Sequence, residues 1–199
     1  MRKPTDLRQE VLKASLALIE EGGLARLSMR EVARKAGVSH QAPYHYFADR
    51  EAILAAIAGE GFAKLGGSLT RAAGGDADPR KAVGAMGRAY VEFALKHPAY
   101  FQVMFRADAV ALENHPEARE MEDKAFEGLV AGIGKALSDQ PGEVQRKIAI
   151  ACWALVHGLA TLILEGTLAR KVRVPKAKQK QLADEVIGTF AMLMRLDAP

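Results

Sequence analysis

The sequence predicts an all-α protein: an N-terminal three-helix helix-turn-helix unit followed by a C-terminal helical bundle, with about nine helices in all. Three observations carry that prediction. Apolar residues recur at helical spacing in every long segment. The segments are separated by helix caps and breakers such as Gly22-Gly23, Gly74-Gly75…Pro79, His97-Pro98 and Gln140-Pro141-Gly142. The best strand candidate, Val172-Arg173-Val174, is too short and ends at Pro175.

In chain order, residues 5–22 form the first expected helix. Thr5 is its candidate cap, and Leu7, Val11, Ala14, Ser15, Leu18 and Ile19 form its stripe. The next helix opens at Ser28, with Glu31 three residues on as a capping box and Leu27/Val32 at the spacing of a hydrophobic staple. Gly37 ends it at a position suited to a left-handed residue. Ser39 can cap a further helix through His40, Gln41, Ala42, Tyr44 and His45 to Phe47, with Pro43 at its fourth position costing one early backbone bond and its ring bearing on the first turn, and so on the aim of His40 and Gln41. Asp49 caps a long helix from Arg50 to about Ala73, too long to serve the first unit alone and so expected to connect it to the second. We therefore place a boundary between a first domain, 1–50, and a second, 51–199.

Within the second domain the pattern predicts helices from about Arg80 to Lys96 and from Pro116 to about Ser138, with a short aromatic segment, Ala99 to Ala109, between them. From Val144 to Leu168 the chain is so apolar that it should be buried nearly all round. A basic loop, Arg170 to Lys180, precedes a last helix with Leu182, Val186, Ile187, Phe190, Leu193 and Met194 on one face.

Composition narrows the function classes. The chain of 199 residues carries 28 Lys+Arg against 24 Asp+Glu. Residues 1–50 hold basic residues at 2, 3, 8, 13, 26, 30, 34, 35 and 50 against acidic ones at 6, 10, 20, 21, 31 and 49, so most of the +4 excess lies at this end, as phosphate binding favours. A single Cys152 rules out an internal disulfide and suits a reducing cytoplasm. No uninterrupted run of about 18 uncharged apolar residues and no secretory pattern is present, so neither a membrane partner nor export is expected. The five His, at 40, 45, 97, 115 and 157, include no helical i,i+3 or i,i+4 pair and no Glu-x-x-His, which leaves no support for a helical metal site. Phosphate-cradling glycine loops and a Gly-x-Ser-x-Gly nucleophile are also absent, and Cys152 and His157 are spaced to point apart on a helix. No enzyme, cofactor or metal is expected. Residues 27–50 read instead as a helix-turn-helix, whose second helix enters the major groove with hydroxyl, amide, imidazole and phenol groups. The competing reading is a helical small-molecule-binding or enzymatic protein with a purely structural N-terminal hairpin.

The same residues carry a family resemblance. Ser28-Met29-Arg30-Glu31-Val32-Ala33, Ala36-Gly37-Val38-Ser39, Tyr44-His45-Tyr46-Phe47 and Asp49-Arg50-Glu51-Ala52-Ile53-Leu54 resemble the DNA-binding domain of the TetR family of bacterial repressors, a likeness covering roughly residues 5 to 60. Pro43 departs from that pattern. Trp153, His157 and Gly158 look like the C-terminal element of one TetR subgroup, and His97 to Phe105 is similar to that subgroup's central region. The resemblance implies a cytoplasmic homodimer paired through 144–168 and the last helix, bound to an inverted-repeat operator in double-stranded DNA and released by a small-molecule effector. By matching position and chemistry, Ser28, Ser39, Tyr44 and Arg50 are expected on phosphates, and Arg30, His40, Gln41 and His45 on base edges. The effector is expected among Phe62, Met86, Tyr90, Phe93, Met104, Phe105, Phe126, Trp153 and His157.

Overall fold

Nine α-helices and no strand occur among the residues that the computed structural model describes, 4–196. The helices are α1 (Pro4–Gly22), α2 (Met29–Ala36), α3 (Arg50–Ala73), α4 (Pro79–Lys96), α5 (Pro98–Met104), α6 (Pro116–Ala136), α7 (Gly142–Leu164), α8 (Thr167–Val172) and α9 (Gln179–Leu196). The predicted class and breaks hold because they rest on local chemistry. Asp49 Oδ1 accepts from Ala52 N at 2.8 Å, and Asp78 Oδ1 accepts from Arg80 N at 2.9 Å, so each starts a helix by filling an orphan donor. The proposed Thr5 cap and the Met194 side chain lie outside the described side chains.

Contacts divide the chain into two units. The first runs to Ala63 and takes in His97–Glu122. Its core is α1 against α2 and α5, with Val11, Leu12, Leu18, Ile19, Val32, Ile53, Leu54, Ile57 and Val103 almost fully buried. Ser15, also buried, returns its hydroxyl to Val11 O at 2.8 Å, so no polar group is stranded there. Gly61 lets Met104 lie directly on α3, since a Cβ at that position would sit 2.6 Å from the Met104 sulfur.

The second unit comprises Lys64–Lys96 and the chain from Asp123. Here α4 packs on α7 and α9. Val83, Ile133, Ala149 and Cys152 form the centre, flanked by Leu129, Val130, Leu137, Ile148 and Phe190. Gly132 admits Met86 as Gly61 admits Met104.

Two expectations are corrected. The 144–168 segment is not one helix buried all round: α7 ends at Leu164, Gly166 turns left-handed, and α8 restarts at Thr167. Ile150, Trp153, Leu162 and Leu164 on α7 are 36–47 % exposed, and Met192 and Leu193 on α9 more so. One chain does not supply enough neighbours to cover this face. The basic 170–180 stretch is also not all loop, since α8 and a 3₁₀ turn at Lys176–Lys178 order part of it. By length and composition α3 and α7 are long and apolar enough to cross a bilayer, although no 18-residue stretch of either lacks charge.

Candidate nucleic-acid interface

The first unit's surface segment 28–50 is built from caps. Ser28 Oγ accepts from Glu31 N at 3.2 Å, the first half of the expected capping box. Glu31 does not return the bond. Its carboxylate takes Nε and one Nη of Arg34, at 3.1 and 2.6 Å, and Arg34 holds the Glu31 carboxyl below the usual carboxylate range. At the other end Gly37 has φ 67°, and a Schellman pair closes α2, with Gly37 N donating to Arg34 O and Val38 N to Ala33 O. Leu27 and Val32, the staple pair, are both buried.

The expected recognition helix differs from its prediction. Residues 39–47 form a short 3₁₀ turn, Ala42–His45, with irregular backbone on each side. Ser39 gives no side-chain cap. Its carbonyl accepts from Ala42 N at 3.0 Å, three residues on. In an α-helix the same carbonyl would take the N–H of residue 43, which proline lacks, so the ladder tightens to the i+3 donor. The next bonds are Tyr44 N to Gln41 O and Tyr46 N to Pro43 O. Pro43 therefore reshapes the whole first turn rather than costing one bond.

This short segment is nevertheless firmly seated. Ala42, Pro43 and Phe47 are buried, and the Arg8 guanidinium lies over the Phe47 ring at 5.3 Å from its centroid. Seating these three turns their neighbours outward: Ser39, His40, Gln41, Tyr44 and His45 are all exposed, as are Ser28 and Arg30 on α2. The His40 and Tyr44 rings lie 5.9 Å apart, tilted by 41°. The result is a contiguous strip of donors and acceptors with no acidic member between residues 37 and 48.

Arg50 is placed differently. It is part-buried, and its Nε and one Nη donate to the carbonyls of Leu27 and Leu24, each at 2.9 Å. Its fork clamps the start of α3 to the turn that precedes α2. Sequence reasoning had no means of finding this pairing, because the acceptors are backbone atoms more than twenty residues away.

Comparison with known proteins agrees with this geometry. Residues 11–57 match the family described as "Bacterial regulatory proteins, tetR family", and residues 83–190 match "Tetracyclin repressor-like, C-terminal domain". The second match alone spans more than half of the chain. The chain belongs to the TetR family. Within it, the chain is 33 % identical over 169 residues to the transcriptional regulator BetI of Rhizobium meliloti, covering 76 % of this chain and 75 % of that one. It is 28 % identical over 137 residues to the transcriptional repressor KstR of Mycobacterium tuberculosis, a match spanning 67 % of this chain but 62 % of the repressor, less than two thirds of its length. A solved structure from Rhodococcus sp. RHA1, of unknown function, superposes with a TM-score of 0.73 at 30 % identity over 91 % of this chain and 93 % of its own. This TetR-family protein is thus a helix-turn-helix DNA-binding transcriptional regulator.

The residues expected to line the regulator's effector site fall into two groups. Phe62, Met104 and Phe105 lie in the first unit, where Phe105 stacks edge-on to Phe62 at 5.5 Å and meets Phe101 at 5.2 Å. Met86, Tyr90, Phe93, Phe126, Trp153 and His157 lie in the second. There Tyr90 Oη is 2.9 Å from His157 Nδ1, and Trp153 meets both Phe126, at 5.9 Å, and His157, at 6.1 Å, between ring centroids. Burial lowers the His157 pKa and raises that of Tyr90, while a hydrogen bond from the Trp153 indole works against the rise at Tyr90. The indole can only donate, so Tyr90 is the acceptor in its hydrogen bond with Trp153. Met86, Tyr90 and Phe93 are buried, whereas Trp153 is partly exposed.

Proposed function

We propose that this regulator is a homodimeric repressor that reads an inverted-repeat operator through residues 28–45 and is released from it by a small-molecule effector. Seated apolar residues alternate with an exposed polar strip, and this observation carries the reading. Arg30, His40, Gln41 and His45 reach base edges, where Gln suits adenine and Arg suits guanine. Ser28, Ser39 and Tyr44 hold phosphates with their hydroxyls. Arg50 contributes to DNA binding as a positioning residue: with its fork committed to Leu24 and Leu27, it sets where α3 begins and so where the strip points.

The exposed apolar stripe of α7, together with Met192 and Leu193 of α9, supports pairing of two copies. Two-fold pairing presents two strips to one face of the duplex, with half-sites about 34 Å apart or a multiple of that spacing. An apolar ligand with one hydrogen-bonding group suits the Tyr90–His157–Trp153 corner. It can lower DNA affinity only by as much as it prefers the non-binding state. The protein acts in the cytoplasm, by binding rather than by catalysis. Titration against duplex DNA across a salt series tests it. Log affinity should fall steeply and linearly with log salt, and sedimentation should give a dimer at micromolar concentration. Salt-independent binding, or a monomer, contradicts it.

A further inference from the structure

Residues 170–180 are the most basic stretch of the chain. They hold Arg170, Lys171, Arg173, Lys176, Lys178 and Lys180 and no acidic residue, a charge of +6 against +3 for residues 1–50. The remaining residues, 51–169 and 181–199, hold 13 Lys+Arg against 18 Asp+Glu and are net −5. The stretch is ordered rather than loose. Leu168 and Gln179 anchor it in the second unit as buried side chains. Gln179 Nε2 donates to Val174 O at 3.3 Å, and Lys178 N donates to Pro175 O at 2.8 Å. All six cations are exposed. Arg170 is turned back onto Glu165 O and Thr167 Oγ1, at 3.1 and 3.0 Å. The Glu92 carboxyl is held below its usual range first by its hydrogen bond with Lys96, then by the charge of Lys180. Lys171, Arg173, Lys176 and Lys178 have no carboxylate partner among the described residues. Arg173 is also the one non-glycine with a positive φ among those residues, 57°, where it ends α8. Glycine fits that left-handed position at least cost, so the guanidinium stands there against the backbone's preference.

We propose that residues 170–180 are a second, sequence-independent phosphate-binding surface, taking the backbone of duplex DNA. Four unpaired cations on an ordered scaffold suit a polyanion, because each phosphate neutralised releases a counterion. Four of the six cations are lysines, whose compact charges need no matching fork and so suit a diffuse phosphate array. Protein interfaces, by contrast, are depleted of lysine. A lipid surface would need a broad apolar face beside the cations. Here α8 has only six residues, and Val172, 55 % exposed, is the single large apolar side chain exposed between 170 and 180. The net −5 of residues 51–169 and 181–199 repels a polyanion, which leaves this stretch as the place on the second unit where one can settle. Holding a second stretch of duplex in the service of regulation rests on the DNA-reading assignment above, whereas the phosphate binding does not.

The test is a salt-series titration of the full-length protein with a random-sequence duplex of about 40 base pairs, read by fluorescence anisotropy. The quadruple variant Lys171→Gln/Arg173→Gln/Lys176→Gln/Lys178→Gln, checked for native helicity by circular dichroism, should lower the slope of log affinity against log salt by about three. At low salt it should bind at least about tenfold more weakly. Arg30→Gln/His40→Ala/Gln41→Ala, which disables the reading strip, should keep salt-dependent binding to the random duplex and lose it when the four glutamines are added. Arg173→Gly should weaken duplex binding without lowering the melting temperature. An unchanged salt slope in the quadruple variant overturns the surface, as does complete loss of random-duplex binding in the strip variant. A lower melting temperature in Arg173→Gly would assign that arginine to the fold and overturn its part. Vesicles of equal phosphatidylserine and phosphatidylcholine, and poly-glutamate, are run in parallel. Binding to either that the four glutamines abolish, with duplex binding untouched, gives the surface to another partner and overturns the proposal. Unaltered sequence preference in the strip variant would instead remove the DNA-reading assignment and leave this surface standing.

Discussion

Arg50→Lys separates the two ways this arginine can matter. Lysine keeps the charge but lacks the planar fork, so it cannot reproduce paired bonds from Nε and Nη to Leu27 O and Leu24 O. Hydrogen bonds from a charged donor contribute roughly 1.5–3 kcal/mol each. Leu24 O keeps a second donor, Leu27 N at 3.1 Å, so its loss is the smaller of the two. The total is then about 2–4 kcal/mol, which for a chain of this size lowers the melting temperature by roughly 5–15 °C. The assays are thermal unfolding by circular dichroism and duplex titration across a salt series below the new melting point. The expected outcome is a lower melting temperature and weaker DNA binding with an unchanged salt slope, because no phosphate contact is removed. An unchanged melting temperature, or a salt slope reduced by about one in Arg50→Ala and restored in Arg50→Lys, would refute the clamp and make Arg50 a phosphate ligand.

Other consequences follow from individual side chains. Ser28→Ala removes the cap on Glu31 N and should cost about 1 kcal/mol, read as a drop of a few degrees in the melt. His157 is held neutral by burial, with a pKa below the usual 6.5. The unfolded chain therefore binds the proton more tightly, so stability is full above 6.5 and falls as pH drops below it until the folded imidazole itself protonates. Urea midpoints for wild type and His157→Gln should diverge less at pH 5.5 than at 7.5, and parallel pH profiles would contradict this. Burial pushes the Cys152 thiol up to about 11, so iodoacetamide at pH 8 should label it far more slowly in native than in urea-unfolded protein. Ile150→Glu puts a charge on the exposed α7 face and should yield monomers by sedimentation while preserving helicity, whereas a retained dimer would place the interface elsewhere.

What the sequence made legible was mostly local. Ser28, Gly37, Asp49 and the Gly74–Pro79 break act within a turn of themselves, so their roles can be read from neighbours alone. At Pro43 the missing donor and the ring's bearing on the first turn were legible, but not that the remaining donors would rearrange to i+3 spacing and leave a 3₁₀ turn in place of a helix. For α7, high apolar content was read both as burial nearly all round and as a pairing face, and a single chain leaves Ile150, Trp153, Leu162 and Leu164 exposed, so apolar content alone did not apportion the two. The grouping of His97–Glu122 with the first unit has no marker in the sequence, since it depends on contacts such as Tyr100 with Glu60 and Gly61 with Met104. The effector candidates were chosen as large apolar and aromatic residues near helix centres. That criterion also selects core, and burial alone does not separate the two, since Phe62, Met86, Tyr90, Phe93 and Met104 are all buried.

The exposed strip as a sequence reader is tested most directly by selecting ligands from a randomised duplex library with wild type and with Gln41→Ala. Wild type should recover an inverted repeat. The variant should recover the same repeat with preference relaxed at one base pair in each half-site, equivalent to about 1–3 kcal/mol of lost discrimination. Recovery of no motif by wild type, or of an identical motif at every position by the variant, would contradict the assignment.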